Sequence, residues 1–514
     1  MMVEALLAVT LIGAAMTFLS DDEWAGRVAA GISVLPVVGS LWMYANFQNV
    51  GNALLSGSLA YETTIDWIQL GGYTIQWHVG VDGVSMPLIA LSTVLTTLAI
   101  VSAWTPIDER QSQFYGLMLL MEASLIGVFS ALDFFAWFVF WEGVLIPMYF
   151  LIAVWGGPRR KYAAIKFFVY TNVASLVMFL GFMALVFGLG DSITVLGLPE
   201  IAQALREPGN LSTFFGMSPG VLRLVAFTAM FAGFAVKVPV FPLHTWLPDA
   251  HVEAPTPVSV MLAGVLLKMG TYALLRFNFT MLQETAKANA ALIATFGVVS
   301  VIYGAMLALA QKDLKRIVAY SSISSMGYVI LGLVAFTPHG VGGATFQMIS
   351  HGLISGLMFM AVGVIYNETH TRMVGDISGI ADRMPWTVGI FLAAAFGYMG
   401  LPLMSGFIGE VLVFLGSFRS TVLPNAPLFT AAAMFGIVVV AGYLLWAMQR
   451  TLFGEYELAT DYEVGRAPLH DVVPLAILLV LVIALGSSPG IAYNMIQRAV
   501  NPILNLAFAL GGVL

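Results

Sequence analysis

The chain has no cysteine in its 514 residues. Within this polypeptide, that rules out thiolate-ligated iron–sulfur clusters, covalently attached c-type haem and disulfides. Any redox chemistry it joins must move electrons through other chains. Charge is nearly as scarce. Asp, Glu, Lys and Arg make up 10% of the residues and hydrophobic types 59%, whereas a soluble domain carries about 25% charged residues. Most of the chain therefore cannot form a water-facing surface. No basic patch or Gly-rich phosphate loop stands out, and a net charge of −7 offers no footprint for nucleic acid.

What the sequence does have is apolar runs of membrane-spanning length, about 17 to 25 residues, from end to end. They predict an all-α polytopic membrane protein with about 14 transmembrane helices. The spans start near residues 2, 28, 83, 113, 133, 164, 221, 255, 289, 316, 341, 385, 428 and 471. The run over residues 3–19 lacks a basic lead-in and a small-residue cleavage site, so it reads as a retained span. The apolar tail over residues 501–514 is too short to cross and is expected to lie against the protein or at the interface.

The basic residues suggest an orientation. Lys237 and Lys268 fall inside spans; of the other Lys and Arg, 13 sit at the ends of connections after odd-numbered spans and 6 on the opposite side. Clusters occur at Arg159, Arg160, Lys161 and Lys166 and at Lys312, Lys315 and Arg316, while the connection from Gln48 to Gly83 has none. The positive-inside rule then puts odd-to-even loops in the cytoplasm and both termini outside. On this reading Lys315 and Arg316 are topology determinants. Asp133 and Asp313, at span starts, are expected to be helix caps.

Spans four to eight resemble spans nine to thirteen, in order. Residues 131–135 (ALDFF) match residues 310–315 (AQKDLK), residues 242–246 (PLHTW) match 402–406 (PLMSG), and residues 270–275 (GTYALL) match 442–445 (GYLL). Matching spans lie five apart, an odd number, so the two repeats must run through the bilayer in opposite directions. In such inverted repeats, ion sites lie near the midplane on interrupted helices. Span seven carries Lys237, Pro239 and Pro242 in close succession; span twelve runs over residues 385–418 with Gly397, Gly400, Pro402, Gly406 and Gly409. Both are expected to be discontinuous. The expected organisation is residues 1–112 for helices one to three, 113–280 for the first five-helix repeat as a proton half-channel, 289–451 for the second, and 452–514 for the last helix and tail.

A charge at the centre of a spanning helix costs roughly 2.5–3.5 kcal/mol on insertion scales. Glu142, Lys237, Lys268 and Glu410 are placed to bear that cost. Glu142 is nine residues into span five, about 14 Å along the axis at about 1.5 Å per residue. Lys268 lies thirteen residues after Pro255. Lys237 precedes the break of span seven and Glu410 follows that of span twelve. A structural Glu142–Lys237 ion pair, or snorkelling to an interface, is the competing explanation. The alternative uses the same physics: burial favours neutral lysine and a nearby carboxylate favours the charged form. A lysine whose coupling to Glu142 changes can therefore release and recapture a proton. His351, among small and hydroxyl neighbours in residues 350–355 (SHGLIS), is a candidate relay. Packing is its competing role. His244 and His251 are candidate entrance residues, with metal binding the weaker reading because no third ligand is evident.

Together these residues carry a resemblance. Residues 140–149 (FWEGVLIPMY), 235–257 (AVKVPVFPLHTWLPDAHVEAPTP) and 312–322 (KDLKRIVAYSS) resemble the antiporter-like subunits of respiratory complex I, over about residues 80 to 450. The same superfamily holds subunits of multisubunit cation/proton antiporters. The chain is most similar to the M-type subunit, also called chain 4, which has a glutamate at the position of Glu410 where the L-type, N-type and typical antiporter subunits have lysine. The resemblance implies Glu142 and Lys237 as a coupled pair, Lys268 as central bridge, Glu410 as outer carrier and His351 on a central polar axis. It further implies a non-redox subunit in the membrane arm of an NADH:quinone oxidoreductase-type complex, beside L-type and N-type chains. Quinone, flavin and iron–sulfur clusters would sit in those partners, with no cofactor or turnover in this chain alone. The rivals are a cation/proton antiporter subunit, a membrane-bound hydrogenase-type complex and a purely structural scaffold. The short basic loops suit a prokaryotic plasma membrane.

Overall fold

A computed structural model of the chain describes residues 1–48, 50–55 and 59–510. Among these, twelve helices are long and apolar enough to cross a membrane. The remaining two predicted spans fall on shorter pieces: Met2–Phe18, and a helix divided into Pro385–Tyr398 and Ser405–Phe418. Span numbers below follow chain order with these included. The last helix, Gly490–Leu510, begins eleven residues before the apolar tail seen in the sequence. It lies against the spans, with Asn52 Nδ2 donating to Ala499 C=O, Gln283 Nε2 to Ile503 C=O and Gln497 Nε2 to Pro338 C=O.

A β-hairpin pairs Ala60–Leu70 antiparallel with Tyr73–Val81. Gly71 and Gly72, at φ +55 and +91, form its turn; a two-residue hairpin turn of this kind favours positive φ at both positions, which glycine adopts without strain. The sequence predicts only a connection here, because period-two patterning in a loop between spans carries little apolar signal.

Burial sorts the spans into layers. Span six, Arg160–Ser192, exposes Val169, Val173, Leu176 and Leu180, one helical stripe facing outward. Span eight, Thr256–Met281, and span eleven, Pro338–Thr369, are completely buried along their most apolar windows. In a bilayer-sized helix bundle such a span is surrounded by other helices and has no lipid contact, and these two are the ones that carry Lys268 and His351.

The two sets of five spans share a local clamp. Asp133 Oδ1 accepts from Phe135 N at 2.9 Å and Ala136 N at 3.3 Å; Asp313 Oδ1 accepts from Lys315 N at 2.9 Å and Arg316 N at 3.2 Å. Both are the predicted N-caps. Around each cap the backbone repeats itself. Phe134 N–H donates to Leu196 C=O and Leu198 N–H to Leu132 C=O; Leu314 N–H donates to Arg372 C=O and Val374 N–H to Lys312 C=O. The first clamp lies beside the hairpin, since Asp133 also accepts from Gln76 N. The second lies beside the basic loops, at the opposite end of the bundle.

Two cations correct the sequence reading. Arg276, counted among loop residues, is 1% exposed, and Lys315, read as a surface determinant, is 5% exposed. Lys315 Nζ donates to Ala254 C=O, because the chain before span eight and the Arg372 loop fold over it. Its neighbour Arg316 is a third exposed.

Candidate functional site

Span five, Phe134–Trp155, is interrupted at Val144, between helices Phe134–Gly143 and Leu145–Trp155. Glu142 sits just before the interruption. Its Oε2 accepts from Asn172 Nδ2 of span six at 3.4 Å, and its buried Oε1 has no protein partner. Lys237 ends span seven, Pro219–Lys237, where prolines at 239 and 242 prevent the helix from continuing. Its Nζ lies 4.0 Å from the centre of the Trp141 ring and donates to Trp141 C=O at 3.4 Å. Trp141 is pinned in turn by its Nε1 bond to Ser175 Oγ at 2.9 Å. Glu142 and Lys237 form no direct ion pair among the described residues. The predicted pair interacts at longer range.

Span eight comes next along the line. Two π-helical stretches, Leu262–Leu266 and Leu274–Met281, flank Leu267–Ala273. π-Turns are rare and occur often at functional sites, because they release a carbonyl from the regular ladder. Here Lys268 Nζ donates to Ala263 C=O and lies 2.6 Å from His351 Nδ1 on span eleven. A charged ammonium there requires Nδ1 to accept, which puts the ring proton on Nε2. That nitrogen lies 3.4 Å from the Tyr398 hydroxyl, which is 3.4 Å from Ser322 Oγ. Lys268 is fully buried and no carboxylate pairs with it among the described residues.

Tyr398 closes the first half of span twelve, and the helix resumes at Ser405. Glu410, in the second half, is 4% exposed. Its carboxylate abuts Gly400 in the break, and Tyr328 and Tyr443 lie within its electrostatic reach. Across the break, Ser350 Oγ donates to Ser405 Oγ at 2.9 Å.

The predicted residues thus fall into an ordered series. Lys268 and His351 are in direct contact, Glu142 faces Lys237 at longer range, and Glu410 follows beyond Tyr398. His244 stands apart in the break of span seven, its ring against Phe241 and Tyr303. His251 is fully buried, stacks on Phe359 at 4.4 Å, and neither of its nitrogens has a partner. Lys315 and Lys268 both act on it electrostatically. A cavity of about 530 Å³, lined by Trp155, Glu253, Lys315, Tyr366 and Arg372, opens beside the basic loops near it. Among the described residues, no group of three His, Asp or Glu is arranged to hold a metal ion.

Sequence reasoning missed two features. Glu122 on span four, Gln111–Ser130, is fully buried with both carboxyl oxygens unpartnered. A single glutamate twelve residues into an apolar run was the available signal. Arg276 on span eight pairs with Asp82 at 2.6 Å, both buried; its position two turns beyond Lys268 on the same helix was the clue.

The model of the family described as NADH:quinone oxidoreductase/Mrp antiporter, TM, matches residues 131–436, more than half of the chain and every residue of the series. The chain belongs to this family. F(420)H(2) dehydrogenase subunit M of Methanosarcina mazei is 38% identical over 512 residues, covering 98% of each chain. An NAD(P)H-quinone oxidoreductase chain 4 of Nostoc sp. is 39% identical over 500 residues, covering 94% of this chain and 88% of the relative. Among solved structures, a chain of respiratory complex I from Thermus thermophilus superposes with a TM-score of 0.84 at 26% identity, over 98% of this chain and 100% of that one. The chain is an antiporter-like integral membrane protein of the complex I subunit family.

Proposed function

We propose that this subunit translocates protons along Glu142, Lys237, Lys268, His351 and Glu410, driven by quinone reduction in partner subunits. Residues 113–280 and 289–451 act as its two half-channels. The observation that carries the reading is the environment of Lys268. It is 0% exposed, so it cannot snorkel, and no carboxylate pairs with it among the described residues, so a structural ion pair does not account for it. Its contacts are a backbone carbonyl in the π-turn, which holds the ammonium by a hydrogen bond, and an imidazole, which can take up the proton. His351 relays toward Tyr398 and Glu410, and His244 and His251 stand on the side where protons load.

In this reading both termini lie outside, the basic loops face the cytoplasm of a prokaryotic cell, and the neighbours are L-type and N-type chains. Flavin, iron–sulfur clusters and quinone belong to other subunits; this chain has no turnover of its own. The donor follows from the partner module. An F(420)H(2)-linked relative and an NAD(P)H-linked one resemble this chain almost equally, which supports a donor-independent role.

The test is proton pumping measured alongside quinone reduction in vesicles whose complex carries Lys237→Ala or Lys268→Met. Assembled complex should keep its redox centres while pumping falls to roughly a hundredth or less, the scale of losing a positioned proton-transfer group. Wild-type pumping in both variants would make the buried charges structural. The matched family also holds antiporter subunits; sodium-dependent proton flux without quinone reduction would favour that second reading.

A further inference from the structure

Beyond Lys268, span eight carries Tyr272 and then Arg276, each about one turn further toward the hairpin end. The Arg276 guanidinium lies 4.9 Å from the centre of the Tyr272 ring. Its Nη2 donates to Asp82 Oδ1 at 2.6 Å and to Ser85 Oγ at 3.1 Å. Asp82 cannot follow if the arginine moves, because its carboxylate also accepts from the backbone N–H groups of Ala53, Val84 and Ser85 at 2.9 to 3.0 Å. That loop, just before span three (Ser85–Ser102), lies at the hairpin end.

The other edge of the guanidinium is different. Nε and Nη1 are buried and, among the described residues, no protein atom accepts a hydrogen bond from them. Buried N–H groups in native proteins are almost always satisfied, by ordered water where no protein acceptor is present. The Tyr272 hydroxyl lies 3.4 Å from both Phe129 C=O and Ser85 Oγ, and it interacts with the guanidinium as well. A hydrated stretch between Lys268 and the hairpin end would conduct protons out of the wrong door. A fixed cation in such a passage excludes them.

We propose that Arg276, anchored by Asp82, is an electrostatic barrier that closes the hairpin end of span eight to protons and keeps charge on Lys268 moving sideways to His351. The inference rests on Lys268 being a proton carrier. Its function differs from that of the carriers: losing it opens a leak and leaves the carriers in place.

The experiment uses the intact complex in liposomes with no electron donor. A potassium diffusion potential draws protons inward, and an enclosed pH dye reports their entry. Arg276→Gln alone leaves a buried carboxylate unpaired and endangers assembly, so the main variant is Arg276→Gln with Asp82→Asn. That double variant should leak severalfold faster than wild type, while Arg276→Lys, which keeps the charge, stays tight. Adding Lys268→Met to the double variant should abolish the leak. An assembled double variant that stays tight overturns the proposal, as does equal leakage through Arg276→Lys. A leak that persists without Lys268 also overturns it, while leaving untouched the pumping result that tests Lys268 itself.

Discussion

Gly400 lies directly against the Glu410 carboxylate. It sits at φ +64, a conformation that costs a side-chain-bearing residue roughly 1–2 kcal/mol, and a Cβ there would collide with the Glu410 carboxylate. Gly400→Ala is therefore expected to assemble with a lower unfolding temperature and to lose pumping, because the carboxylate is displaced. Gly389→Ala, where an added Cβ meets nothing within 4 Å, should change neither in the same two assays. His351 allows a second test at this scale. His351→Phe leaves Lys268 with only a backbone carbonyl, and pumping in vesicles should fall as far as it does in Lys268→Met. The sequence made the individual charges legible, since Glu142, Lys237, Lys268 and Glu410 each stand alone in apolar surroundings. It could not reveal that Lys268 meets His351, which depends on how two distant helices are rotated about their axes. Nor could it show that Lys315 is buried, because the segments that cover it are remote in sequence.

Helix starts and breaks carry the next level of information. Asp313 caps span ten and accepts from Arg372 Nε at 2.6 Å. Asp313→Ala should lower stability by about 1 kcal/mol for the cap and more for the stranded arginine. Asp313→Asn should recover the cap part, with thermal unfolding of the purified complex as the readout. Caps and proline breaks were readable because they act within a few residues. The clamps joining residues 132–134 to 196–198 and 312–314 to 372–374 were not. They are backbone contacts between segments some sixty residues apart, and only their capping aspartates leave a trace in the sequence. The same reasoning explains the hairpin, whose Gly71 and Gly72 marked a turn that apolar spans on either side concealed.

The whole bundle places spans eight and eleven out of contact with lipid, and it wraps them in helices that show one stripe outward. Hydropathy located the apolar spans in order because it registers length and apolarity, and twelve helices among the described residues meet both measures. It does not rank spans by depth, because the fully buried spans eight and eleven are, if anything, less apolar than the half-exposed span six. Orientation is a property of this scale too. The chain has no cysteine, so a single introduced thiol can be followed without background from this subunit. Gln69→Cys on the exposed hairpin should react with a membrane-impermeant maleimide added outside intact cells. Lys161→Cys in the basic loop should react only in inverted vesicles. The reverse pattern would invert the proposed direction of transport.

The π-helical stretch Leu262–Leu266 can also be seen as a matter of phase. It holds one residue more than an α-turn needs, and at 3.6 residues per turn one residue is worth about 100° of rotation. Deleting Val265 would let the helix run in step, and Lys268 would then turn by about that angle relative to the start of its span. Its ammonium could keep the register of the residues before it or that of His351 across the way, and not both. A single surplus residue sets the direction in which the central lysine points.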